Sequence, residues 1–272
     1  MKALTPGSWM VLAAVACVGA SFNAHADAGS DDRLVFSGSG ANLSVASGGG
    51  SGSLGWLHNF SPSTLIGVGG EYDVLANAHW AFGSLSGSET FGPADARTSV
   101  YAELHEGAGD IGGTQHFDYS NVAGGMYQSI GTHFSLQLED RQIDIDTSHG
   151  NLPKIGASVL WATWVQTQGA FQKSVSGNLG TSLGSTRIDV FTKPINLLVG
   201  GAWGRGAPAV LNIENNEILP GIGQLHEYYG GISKTAGRHQ VTLVADYLEL
   251  SGVKRETLTL TYIFDLRSGA SK

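Results

Sequence analysis

Residues 258–266, LTLTYIFDL, alternate in polarity with a period of two. Leu258, Leu260, Tyr262, Phe264 and Leu266 fall on one face, while Thr257, Thr259, Thr261, Ile263 and Asp265 fall on the other. Successive side chains of a strand point to opposite sides, so this period belongs to a strand and not to a helix. The alternation returns from Leu34 onward without a convincing helical stretch. Segments 34–46, 52–60, 64–75, 79–91, 97–108, 115–130, 132–145, 154–166, 170–182, 185–193, 196–205, 224–235, 238–250 and 255–267 read as strands. That is about fourteen, or twelve if one hairpin drops out, and spacing this even implies an all-β sandwich or barrel.

What remains is which solvent each face meets. A soluble sandwich turns the leucines inward, whereas a membrane barrel turns them to lipid and gives the threonines and Asp265 a wet interior. The N-terminus bears on this. MKALTPGSWMVLAAVACVGASFNAHA carries a basic residue at Lys2, an apolar run from Trp9 to Ala20 and the small-x-small exit Ala24-His25-Ala26. It reads as a secretory signal peptide over residues 1–26, too short in its apolar part to span a bilayer. A lipoprotein reading of Ala14-Val15-Ala16-Cys17 lacks the usual leucine three residues before the cysteine.

Cutting after Ala26 removes Lys2 and the single cysteine, Cys17. The exported chain then has no disulfide and must be held by a sizeable core or a closed sheet. Its basic residues, one fewer than the 15 of the full chain, face 23 acidic ones, which argues against a nucleic-acid partner. Forty glycines and 14% charged residues are unusual for a soluble domain, but the glycines lie within alternating apolar segments and not in a polar tract. No run of about 20 apolar residues follows the signal, which excludes helical spans.

The connections sort by parity. Even-numbered ones are short: Ser61-Pro62-Ser63, Gly92 to Ala96, Gly131 with its neighbours, Thr167-Gln168-Gly169, Lys193-Pro194-Ile195 and Thr235-Ala236-Gly237. Odd-numbered ones include Ala46 to Gly52, Gly109 to Thr114, Asp146 to Pro153 and the longest, Gly206 to Gly223, although the links at 76–78 and 183–184 are short. Short turns on one rim and long loops on the other suit an outer-membrane barrel.

Several strands oppose an apolar face to a charged one. Ile66, Val68, Tyr72 and Val74 oppose Glu71 and Asp73; Val100, Ala102 and Leu104 oppose Tyr101, Glu103 and His105. Phe134, Leu136 and Leu138 oppose His133, Ser135, Gln137, Glu139 and Arg141, and Ile188 and Val190 oppose Arg187 and Asp189. Trp56 and Phe60, Tyr72, Phe117 and Tyr119, Trp161 and Trp164, Trp203, Tyr228 and Tyr229, and Tyr262 with Phe264 lie mostly near strand ends, where interfacial girdles belong.

On these residues the chain resembles a Gram-negative outer-membrane β-barrel over its mature length. The last strand is similar to the signal such barrels present to their assembly machinery, but it departs in running on from Phe264 and Leu266 to Lys272 instead of ending on an aromatic residue. The resemblance implies a transmembrane antiparallel up-and-down barrel over 34–267, between a periplasmic tail at 27–33 and a C-terminal tail at 268–272. It also implies an outer-membrane location, with lipid, lipopolysaccharide and the assembly machinery as partners.

The candidate chemical motifs are outweighed by plainer readings. His133 and Ser135 share a strand face, as a lipid-hydrolysing pair does, but the face also carries Gln137 and Arg141 and lies beside a periplasmic turn. His116 and Ser120 are four apart and lack that compact motif. Asp140, Asp144 and Asp146 do not have the spacing of a calcium loop and read as a solvated acidic face. GVGGEY and SGNLGT precede no helix, so they are not phosphate loops; their glycines let strands bend. Gly204-Arg205-Gly206-Ala207-Pro208 and the apolar run Ala209 to Ile213 belong to a loop that either caps the mouth or is idle.

These readings converge on a channel for small polar solutes with no catalytic residue, metal or cofactor. Its lumen electrostatics would be set by Glu71, Asp73, Glu103, His105, Glu139, Arg141, Arg187, Asp189 and Asp246. The alternatives are a polysaccharide export barrel, a structural or adhesive surface barrel, and an outer-membrane lipid hydrolase.

Overall fold

A computed structural model describes residues 9–11, 32–44, 47–93, 95–113, 115–146, 148–192, 194–206, 210–212, 217–219, 223–250 and 252–266. Fourteen strands form one closed antiparallel barrel: β1 Asp32–Leu43, β2 Gly49–Asn59, β3 Thr64–Leu75, β4 Ala78–Phe91, β5 Thr98–Ile111, β6 Gln115–Ile130, β7 Phe134–Ile145, β8 Lys154–Ala162, β9 Val165–Lys173, β10 Ser182–Thr192, β11 Ile195–Arg205, β12 Gln224–Ala236, β13 His239–Leu250 and β14 Val253–Leu266. Each pairs with its neighbours in sequence, and β14 returns to β1 from Arg255↔Leu43 down to Leu266↔Asp32. Closure leaves no edge, so every ladder group in hydrocarbon is paired. The barrel starts at Asp32, two residues before the expected Leu34, because Asp32 and Leu266 are already paired. The expected signal cut, the residues before Asp32 and the tail after Leu266 lie outside the described barrel.

Both chain ends open on one rim, with connections 60–63, 92–97, 131–133, 163–164, 193–194 and 237–238. The far rim carries 44–48, 76–77, 112–114, 146–153, 174–181, 206–223 and 251–252. Two expected boundaries are corrected. Thr167-Gln168-Gly169 is not a turn, because Thr167 pairs with Val159 and the chain reverses at Thr163-Trp164. SGNLGT does not belong to a strand. It lies in the far-rim loop 174–181, where Gly177 and Gly180 adopt φ of 75° and 63°, a region that favours glycine. The link expected at 183–184 therefore lies earlier and is longer, which strengthens the sorting of loops by rim.

Ser148–Asn151, inside 146–153, pairs back onto the end of β7. In the longest loop Val210–Asn212 and Glu217–Leu219 pair with each other, and Trp9–Val11 adds to them in a separate small sheet. The remaining residues of the expected Ala209–Ile213 run lie outside the described ones.

The wall is in contact with two solvents. Toward the terminal rim its outer face is apolar. Leu258 and Leu260 are 54% and 52% exposed while Thr259, pointing inward, is 7% exposed. Leu54, Val68, Leu85, Val122, Leu138, Ile188, Val199 and Leu243 continue the apolar band around the barrel. Trp56, Phe60, Phe91, Trp161 and Trp164 edge it near the terminal rim, and Tyr72, Phe171, Trp203 and Tyr228 edge it on the far side, as aromatic girdles do.

Beyond the second girdle the polarity inverts. Ile143 and Ile145 share the inward face of β7 with Arg141 and are buried, while Asp140 and Gln142 point outward and are exposed. On β13, Leu248 and Leu250 are buried inward of Asp246. The strands thus run past the bilayer and end as a tower with an ordinary interior, apolar within and polar without. Leu43, Leu75, Ala78, Trp80, Ile111, Phe117, Tyr119, Leu152 and Leu179 pack together in one part of it, and Leu183, Leu225, Leu248 and Leu250 in the other. Phe117 and Tyr119 are therefore core residues of the tower and not girdle aromatics, as their spacing had suggested.

Candidate functional site

The lumen is layered. Below the apolar tower lies a belt of charge, with Ser39 and Ser51 beside Asp73, and below that a wall of short hydroxyl and amide side chains that includes Ser37, Ser135, Ser158, Gln166, Ser233 and Thr261, several hydrogen-bonded across strands. Inward position follows from strand parity, because residues two apart share a face.

The structure places Glu71, Asp73, Glu103, His105, Glu139, Arg141, Arg187, Asp189 and Asp246 on the inner face of β3, β5, β7, β10 and β13, all buried or half-buried. It joins several of them. Arg141 Nε is 3.2 Å from Glu139 Oε1 and Arg141 Nη2 is 3.5 Å from Glu103 Oε2. Arg141 Nη1 donates to Asn121 Oδ1 at 3.2 Å. Tyr101 donates its phenol to Glu139, and Gln137 Nε2 donates to Tyr127 at 2.9 Å. On another part of the wall Arg187 pairs with Asp189 at 2.6 Å.

Sequence reasoning missed three charged members of the belt and one charged residue below it. Lys154 Nζ meets Glu139 Oε2 at 3.0 Å, and Arg255 Nη2 meets Asp246 Oδ1 at 3.3 Å. Glu227 lies inward on β12, and Arg33 closes the terminal end of the lumen against Asp265 at 3.2 Å. Each follows an alternating strand whose phase was legible, so parity alone could have found them.

Carboxylates outnumber cations in the belt. Arg141, Lys154, Arg187 and Arg255 are each committed to a carboxylate. Among the described residues, Glu71, Asp73 and Glu227 have no cation within ion-pair distance. On β3 and β4 the register sets each free carboxylate opposite an aromatic ring, Glu71 against Phe82 and Asp73 against Trp80. The rows continue across Gly107 to Tyr119 and across Gly109 to Phe117. A Cβ on Gly109 would lie 2.5 Å from both Phe117 Cζ and Trp80 Cβ, so these rings lie flat on the wall only because glycine is beneath them.

His133 and Ser135 do not form a pair. His133 donates from Nδ1 to the Leu160 carbonyl at 2.8 Å, and the Ser135 hydroxyl is 2.6 Å from that of Ser158. His116 and Ser120 point outward from β6.

No family model matches the chain, and no curated protein matches it. Solved structures do. The chain is similar to the CymD monoaromatic hydrocarbon channel at a TM-score of 0.58 and 9% identity, over 89% of this chain and 90% of that one. It is similar to the P. putida toluene transporter TodX at 0.56 and 7% identity, over 88% and 91%. To the Acinetobacter baumannii outer membrane protein Omp33 it is similar at 0.53 and 10% identity, over 88% of this chain and all 100% of that one. At such identities the likeness is one of fold, and together with the lipid-facing band and its girdles it identifies the architecture as that of a bacterial outer-membrane β-barrel.

Proposed function

We propose that the protein is a passive channel for small polar solutes that favours cations over anions, with the rim carrying both chain ends in the periplasm. The observation that carries this reading is the uncompensated carboxylate of Glu71, Asp73 and Glu227 in a belt whose cations are all paired. Charge in a narrow, partly low-dielectric passage is screened less than charge on outer loops, where the Debye length is about 8 Å at physiological salt. The paired groups, Glu103, His105, Glu139, Arg141, Arg187, Asp189 and Asp246, would order water across the lumen and add little net preference.

Purified protein in a planar bilayer under a salt gradient tests this. The reversal potential takes the sign of cation preference. Glu71→Gln combined with Asp73→Asn moves it toward zero, and Asp144→Asn combined with Asp146→Asn leaves it nearly unchanged. A larger effect from the Asp144 and Asp146 pair overturns the reading.

One observation favours a second reading. The apolar packing of the tower fills the far end of the interior, which suits a surface barrel that conducts nothing. The same bilayer experiment separates the two, because that reading gives no current at any voltage.

A further inference from the structure

On the outer wall around β8, two rows of side chains cross the strands, one above the other. The lower row is apolar: Val100, Met126, Leu138, Ile155 and Phe171 are successive partners across the ladders from β5 to β9. The upper row holds Gly124, Asp140, Pro153 and Lys173. Gly124 is paired with Asp140, and the Pro153 carbonyl accepts the Lys173 N–H at 3.2 Å. Together these residues line an open groove of about 700 Å³ where the apolar band gives way to the tower. Neighbouring strands are about 4.8 Å apart, so Asp140 and Lys173, one strand to either side of Pro153, are about 10 Å apart along the row. Both are exposed, and among the described residues neither side chain is in an ion pair.

A lysine and an aspartate on a free surface gain little from a partner. These two stand at the edge of the hydrocarbon, where a charge pair is screened less than in open water. They also flank a continuous apolar row. Whatever covers that row best has an anion on the β9 side and a cation on the β7 side. A second copy of this chain has both. Copies inserted the same way into one bilayer are related by a two-fold axis along the membrane normal, and such an interface is isologous, each contact being made twice. With the axis at Pro153 and Ile155, β9 of one protomer comes against β7 of its partner. Lys173 then meets the partner's Asp140, and Asp140 meets the partner's Lys173. In the row below, Phe171 meets the partner's Leu138. One strand further out, Met126 meets the partner's Gly184, the position paired with Phe171, which has no side chain to oppose it.

We propose that the protein forms a homodimer through the β7–β9 face, with two Lys173–Asp140 ion pairs flanking a two-fold axis at Pro153 and Ile155. The dimer is independent of what the lumen passes, because the side chains that make it point away from the charged belt.

Carbodiimide treatment of outer-membrane fractions joins an amine to a carboxylate only where the two touch. Together with light scattering of the purified protein in mild detergent, it tests the interface. The expected result is twice the mass of one chain, and a dimer band that survives denaturation and contains a cross-link between Lys173 and Asp140. Asp140→Lys and Lys173→Asp each set like charges across the interface, which repel in addition to losing the pair. The dimer fraction falls at least about 10-fold in each. The double variant, Asp140→Lys with Lys173→Asp, restores opposite charges and with them the dimer. Heat-modifiable migration confirms that every variant is folded. A monomer in both measurements overturns the proposal. So does a dimer that both single variants leave intact, or one that the double variant does not restore. A monomer that carries lipid through purification and loses it on Asp140→Lys also overturns the proposal and assigns the groove to that lipid.

Discussion

Lys154 Nζ lies 3.0 Å from Glu139 Oε2, tying β8 to β7 at the upper end of a seam in which only Lys154 to Val159 pair with Glu139 to Phe134. Immediately above, Pro153 lacks an N–H, and the ladder resumes at Leu152, whose N–H donates to the Arg141 carbonyl at 2.7 Å. The seam is thus short in backbone pairing and reinforced by charge. Lys154→Met removes a lumen cation and leaves Glu139 with Arg141 and Tyr101. The expected loss is about 1.5–3 kcal/mol, the range for a hydrogen bond to a charged group, read as a lower heat-modification midpoint. Cation preference rises at the same time. An unchanged midpoint would show that the seam does not depend on the pair.

Leu260 and Thr261 are adjacent on β14 and point to opposite solvents. Leu260→Arg places a charge in lipid, at a cost of roughly 2–4 kcal/mol near the bilayer midplane, while Thr261→Arg places it in the wet lumen. Assembly yield in outer-membrane fractions falls strongly for the first and little for the second. Equal yields would mean that the faces are reversed.

Leu179 sits fully buried in the tower, delivered by the loop 174–181. Leu179→Asp buries an unpaired carboxylate among Ile143, Ile145 and Leu152 and loosens the tower without touching the membrane band. Loss of a leucine from a packed core costs about 2–5 kcal/mol even with a neutral replacement. Conductance in bilayers therefore increases while insertion is retained. Should the variant conduct no more than the parent, the tower is not what closes the far end.

Gly125 lies under Tyr101, and a Cβ there would come within 2.6 Å of the phenol oxygen and of the Leu138 carbonyl oxygen. Gly125→Ala displaces the phenol from Glu139 and costs about 1–3 kcal/mol by overpacking. Far-UV circular dichroism on heating reports the shift. Gly131→Ala is no control, since Gly131 has φ of 67°, so Gly40→Ala, with open space around its Cβ, is used instead.

Period-two alternation in the sequence determined most of the architecture. A strand exposes alternate residues to different surroundings, so the inward position of Glu71, Glu103, Glu139 and Asp189 was readable from Val68, Leu104, Leu138 and Ile188 beside them. Turn residues located most of the connections. The exceptions were the link expected at 183–184, which lies at 174–181, and Thr167-Gln168-Gly169, where turn-forming composition lost to pairing across β8 and β9, because ladder bonds along a closed wall outweigh local preference.

Tertiary structure decided what lies across from what. The facing of Asp73 and Trp80, the glycines beneath Phe82 and Phe117, and the joining of Lys154 to Glu139 depend on register between strands, and a one-residue slip would turn every side chain to the other solvent. The inversion at Ile143 and Ile145 was present in the sequence as two isoleucines in phase with Arg141. Only the height of the strands relative to the girdles showed that they leave the bilayer and form a tower with a packed interior, since the solvent outside a strand is a property of where it stands and not of its own residues.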